Sequence, residues 1–116
     1  MSETIDLQAM DQLKELMGDK FATLVETYLR NAEVYVSNIV NGFAQEDYEM
    51  IVSAAHTLKS SSGNLCLNTL SQRSESIEQT AKALVQGEGN KEELAALVDG
   101  FEALFGESKK LLEDQL

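Results

Sequence analysis

Ala54-Ala55-His56-Thr57-Leu58-Lys59-Ser60-Ser61-Ser62-Gly63-Asn64-Leu65 is the stretch whose spacing decides the fold. At about 100° per residue, Ile51, Ala55, Leu58, Ser62 and Leu65 fall on one stripe, the pattern of a helix with a single inward face. His56, the only histidine in the chain, stands one step round from Ala55 and so on the flank of that stripe. Ser60 and Gly63 come one turn further on and are both small, which leaves the imidazole open to an approaching partner. Lys59, three residues on, lies close enough on the same side to meet charge arriving there.

The same period recurs to either side. Upstream, Leu7, Met10, Leu13, Leu16 and Met17 predict a short, lid-like helix over residues 6–17 that ends at Gly18. Asp19 is placed to cap a second helix, whose stripe of Phe21, Leu24, Val25, Tyr28, Ala32, Val36, Ile39 and Phe43 runs to about Ala44. Leu29, Val36 and Val40 widen its apolar arc; they are either covered by the first helix or form a docking surface. Asp47 is placed to cap the helix of His56, which ends near Leu65-Cys66-Leu67. Asn68 starts the next, where Leu70, Ser74, Ile77, Ala81 and Leu84 alternate three and four apart until Gln86-Gly87-Glu88-Gly89 interrupts them.

Asn90 and Glu93 have the spacing of a capping box. From there Leu94, Leu97, Phe101, Leu104, Phe105, Ser108 and Leu111 continue as one helix to the C-terminus, weakened by Gly100 and Gly106 by roughly 1 kcal/mol each relative to alanine. Short connections between long helices force neighbours to run antiparallel. The expected fold is therefore all-α, an antiparallel up-down four-helix bundle with a short extra N-terminal helix.

A chain of 116 residues is expected to form one domain over residues 1–116, large enough for a real core and too small for a second catalytic lobe. No apolar run approaches a membrane span, and Met1-Ser2-Glu3-Thr4 lacks the basic and apolar regions of a signal peptide, so a cytoplasmic location is expected. The single cysteine, Cys66, excludes an internal disulfide. With no histidine or cysteine cluster, neither a metal site nor a cofactor of the chain's own is expected.

Twenty acidic against nine basic residues give a net charge of −11, which repels phosphate backbones and anionic lipid; nucleic acid and membranes are not expected partners. The distribution is more informative than the sum. From Met50 to Ser74 there is no Asp or Glu, and the only charges are Lys59 and Arg73; Val34 to Gln45 carries no charge of either sign. A neutral-to-positive patch on an acidic body suits a partner whose own active site is acidic.

Antiparallel packing also converts sequence position into height. If the chain folds back about Leu67, equal rise per residue puts His56 level with Glu78 and Lys59 level with Glu75, a candidate ion pair. A carboxylate holding Nδ1–H would fix the imidazole tautomer that exposes Nε2 as nucleophile.

The run His56-Thr-Leu-Lys59-Ser-Ser-Ser-Gly-Asn-Leu65 resembles the signature of histidine-containing phosphotransfer (HPt) domains, a helical H-x-L-K-G-small-small run that carries a phosphorylated histidine. The likeness extends to the Asp47-Tyr48 helix start, the Leu70 to Glu78 segment and the helical plan of nearly the whole chain. It implies that His56 is the phosphoacceptor and Lys59 the cation near the phosphoryl group. Ser60, Gly63 and Glu78 are supporting residues, Glu78 matching a place where some members put Gln or Glu against the histidine.

Two positions depart from the family pattern. Ser60 replaces the usual glycine after the lysine, and Cys66 stands where another glycine is usual. Either that second turn does not need positive φ, or it is strained.

The resemblance implies a monomeric phosphoryl carrier rather than a turnover enzyme. It would accept a phosphoryl group on His56 from a receiver-domain aspartate and pass it to another receiver, the partners being receivers of a hybrid sensor kinase and of a response regulator. Any Mg²⁺ would belong to the receiver. No glycine-rich nucleotide loop is present, so ATP is not the expected donor. The alternative is a bundle of the same fold that binds or sequesters receivers without carrying phosphate.

Overall fold

The computed structural model describes residues 5–116; the reading of residues 1–4 as lacking a signal peptide lies outside them. Helix α1, Leu7–Met17, opens with the Asp6 carboxylate accepting from Ala9 N–H at 3.1 Å and closes at Gly18, whose φ of 53° is readily accessible only to glycine. Met10 is fully buried, while Leu13 and Met17 pack partly against the core. Leu7 and Leu16, expected on the same stripe, point outward, Leu16 with 82% of its surface exposed. The backbone of Ile5 pairs with that of Leu67, and Lys14 Nζ donates to Gln115 Oε1 at 3.1 Å. Thus α1 spans one end of the molecule, from the turn after the His56 helix to the C-terminus.

Asp19 does not cap the second helix. It sits in a 3₁₀ turn, Gly18–Lys20, that runs directly into α2, Phe21–Gln45. Because the chain is already wound when α2 begins, the first amides of α2 find carbonyls upstream and need no side-chain acceptor.

Glu46, in a left-handed conformation, ends α2, and Asp47 caps α3, Tyr48–Asn64, by accepting from Met50 N–H at 3.1 Å. The two helices pack closely at Gly42, where a Cβ would lie 2.8 Å from Ile51 Cγ1. A three-residue turn leads to α4, Asn68–Val85. Cys66 in that turn has a φ of 63°. Of the two readings of the missing glycine, the strained turn is the one adopted.

The segment expected as one final helix is two: α5, Lys91–Val98, and α6, Phe101–Asp114. Asn90 caps α5 by accepting from the N–H groups of Glu92 and Glu93. The break falls at Asp99, which is extended, and Gly100, at φ 75°. Glycine enters this region without penalty, and the turn brings Phe101 wholly into the core. Arg73 of α4 donates to the Leu97 carbonyl at 3.1 Å, satisfying an acceptor at the α5 terminus.

Together α5 and α6 act as the fourth rod of the bundle. Lys91 pairs with Glu46 near one end, Lys109 with Glu33 at 3.2 Å further along, and Lys14 meets Gln115 at the other. The result is the expected antiparallel helical bundle with an extra N-terminal helix, 46 × 22 × 20 Å. Its core runs through Val25, Ile39, Ile51, Leu58, Leu70, Ile77, Leu94, Phe101 and Leu112. Buried serines stand in the seam with their hydroxyls satisfied: Ser62 with Tyr28 at 2.7 Å, and Ser74 and Ser108 donating to carbonyls one turn back. No helix among the described residues is long and apolar enough to cross a membrane.

Candidate functional site

The inward stripe of α3 forms as its spacing predicts: Ile51, Ala55, Leu58 and Ser62 have no exposed surface and Leu65 has 2%. This burial fixes the rotation of the helix, which turns His56 out on the α4 side with 62% of its side chain exposed. Glu78 rises from α4 to meet it, Oε2 lying 2.8 Å from Nδ1. Lys59, one turn along α3, donates from Nζ to Oε1 of the same carboxylate at 3.1 Å. Two donors on one helix therefore hold one carboxylate on the next, an oxygen each.

Glu78 is the buried member, its side chain only 9% exposed. Burial alone would push its carboxyl upward, but the hydrogen bonds and charges of Lys59 and His56 outweigh it, and its pKa lies below the ordinary glutamate value. The group is an anion at neutral pH and accepts only. Nδ1 must then be the donor, and a neutral ring carries its lone pair on Nε2. The arrangement is an oriented nucleophile on an exposed ring, with a cation one turn away.

Glu75 does not pair with Lys59. It lies exposed on α4, while Glu78 is directed into the groove between α3 and α4 and receives both donors. The level count found the right height; the rotation of α4, set by burial of Leu70, Ser74, Ile77 and Ala81, decided which carboxylate faces Lys59.

Ser60 and Gly63 are exposed on the outer face of α3. Ser61 bonds back to the Thr57 carbonyl at 3.0 Å and Ser62 to Tyr28, while Ser60, one turn from His56, is the exposed member of this serine run. Beside Gly63 a Cβ would lie 3.4 Å from Ser71 Oγ, and Ser71 ties α4 to the Lys59 carbonyl at 2.9 Å. Around His56, α3 presents Ser53, Thr57, Ser60, Gly63 and Asn64, all exposed and uncharged.

The three residues of the wide apolar arc differ in their surroundings. Val36 belongs to the core at 5% exposure, and Leu29 packs partly against it. Val36 and Val40 line a groove with Glu102 and Phe105 of α6, so at these two positions the neighbouring element is α6 rather than the first helix. The side of α2 that faces α3 carries Leu24, Tyr28, Asn31 and Tyr35, which with Thr57 and Ser61 line a groove of about 280 Å³. Sequence reasoning did not single out Tyr35 or Asn31; their place in the four-three-four spacing from Leu24 was the available signal. Among the described residues no group of three or more His, Cys, Asp or Glu side chains is arranged to hold a metal.

A family model described as Hpt domain matches residues 23–114. The fold is similar to the crystal structure of histidine-containing phosphotransfer protein B from Pseudomonas aeruginosa PAO1, with a TM-score of 0.82 and 20% sequence identity over 96% of this chain and 92% of that one. No curated protein matches it by sequence.

Proposed function

We propose, from the premise that this chain belongs to the Hpt domain family, that His56 is the phosphoacceptor of a phosphorelay and carries a phosphoryl group between receiver domains. The observation that carries this reading is the exposed imidazole whose Nδ1 is held by a buried carboxylate. The oriented ring presents Nε2 in line with the phosphorus of a receiver's aspartyl phosphate. The nitrogen pair forms the N–P bond as the bond to the aspartate oxygen breaks, and the step reverses toward the next receiver. Lys59 is the cation nearest the arriving phosphoryl group and supplies charge neutralisation.

The partners are receivers of a hybrid sensor kinase and of a response regulator, met by a monomer in the cytoplasm, with Mg²⁺ contributed by the receiver. Their acidic active sites suit the uncharged outer face of α3 on a body of net charge −11. Ser60 and Gly63 keep that face low, and their small side chains let the receiver approach.

Incubation with a phosphorylated receiver should label His56 in an acid-labile, base-stable manner, and His56→Gln should abolish the label with helicity unchanged. A receiver that binds tightly yet never transfers its label would make the chain a sequestering module. Loss of helicity in His56→Gln would make the histidine structural.

A further inference from the structure

Glu78 does more than tautomer selection requires. A neutral acceptor such as an amide carbonyl would hold the Nδ1 proton in the same place. This chain sets a full negative charge there, 2.8 Å from Nδ1 on a side chain 9% exposed. When Nε2 attacks phosphorus, the Nδ1 proton stays and the ring becomes a positively charged phosphoimidazolium. On discharge the N–P bond breaks, its pair returns to Nε2, and a neutral imidazole leaves. If Nδ1 lost its proton first, an imidazolate would have to leave, which is a far poorer leaving group.

We propose that Glu78 keeps the Nδ1 proton on phosphorylated His56, and so holds the loaded protein in its transferable form to higher pH than a free phosphohistidine allows. The inference rests on the carrier reading above and makes Glu78 a positioning residue that acts through the ring. The charged groups around the imidazole are few. On α4, Glu75 and Lys82 lie about one turn to either side of Glu78, both exposed; on α3 there are Lys59 and, two turns back, exposed Glu49; α2 has no charged side chain between Val34 and Gln45. Among the described residues only Glu78 is hydrogen-bonded to the ring, and Lys59 on its other oxygen helps to keep it ionised.

The test loads His56 with phosphoramidate, a small-molecule donor, and follows Nδ1 by ¹⁵N NMR across the neutral pH range. Folded wild-type phosphoprotein should hold the proton to higher pH than the same phosphoprotein unfolded in urea. In Glu78→Gln, which keeps the hydrogen bond and removes the charge, that midpoint and the pH at which transfer to a receiver halves should both fall by about 1 unit. Coincident midpoints for folded and unfolded wild type would overturn the proposal, whether or not the variant folds. An unchanged transfer profile in a folded Glu78→Gln would do the same. A raised midpoint in a protein that no receiver labels would uphold the role of Glu78 and sink the carrier reading alone.

Discussion

Lys59 Nζ lies 3.1 Å from Glu78 Oε1, so the lysine one turn along α3 from the histidine is tied in the resting protein to the carboxylate that orients it. Removing either partner disturbs both. Lys59→Ala should slow transfer about tenfold or more, the loss of one charge-assisted contact to the phosphoryl group. Binding of the unphosphorylated receiver should change much less. Rapid-quench transfer kinetics beside equilibrium binding check this, and equal losses in the two would make Lys59 a docking residue.

The same network gives a pH signature. The pKa of Glu78 is lowered on folding from an unfolded value of 4.5, so its stabilisation is fully present above that value and is lost as pH falls through the lower folded one. Glu78→Gln should cost about 1 to 2 kcal/mol at neutral pH, because it removes the charge that strengthens the bonds from Lys59 and His56. The gap should close below pH 4.5. Urea unfolding of both proteins over the acid range measures it, and a gap independent of pH would place the loss in packing instead.

Ser60 stands one turn above His56 on the outer face. Ser60→Gly should keep or raise the transfer rate while costing roughly 0.5 kcal/mol of helix stability. Ser60→Gln should block transfer with circular dichroism unchanged. Wild-type rates in Ser60→Gln would mean that receivers do not approach across this face.

Gly42 is a packing requirement between α2 and α3. A methyl there would meet Ile51 Cγ1 at 2.8 Å and the Asp47 carbonyl at 3.1 Å. Overpacking of this kind costs about 1 to 3 kcal/mol, against a helix-propensity gain of up to about 1 kcal/mol for alanine. Gly42→Ala should therefore lower stability in denaturant titrations, while the folded fraction transfers phosphate normally.

Cys66 occupies a left-handed turn at φ 63°. A β-branched residue is least tolerated there, so Cys66→Val should be less stable than Cys66→Gly by about 1 to 2 kcal/mol. Thermal unfolding of the two variants decides it, and equal stabilities would show that the turn relaxes without strain.

The sequence by itself determined what depends on local period. Apolar spacing set the helical class and the inward stripe of α3, and with them the place of His56 on the flank. Equal rise per residue in antiparallel neighbours brought Glu78 to its height. Only the tertiary structure decided how each helix is rotated about its own axis, because that follows from burial against several neighbours at once. That rotation gave Lys59 to Glu78 rather than Glu75, and set Val36 and Val40 beside Glu102 and Phe105 of α6. Other differences lie at junctions. The 3₁₀ turn ahead of α2 removed the need for Asp19 as a cap, and the left-handed Gly100 split the last helix so that Phe101 could enter the core. Backbone there follows the geometry of closure between packed helices, which no local period encodes.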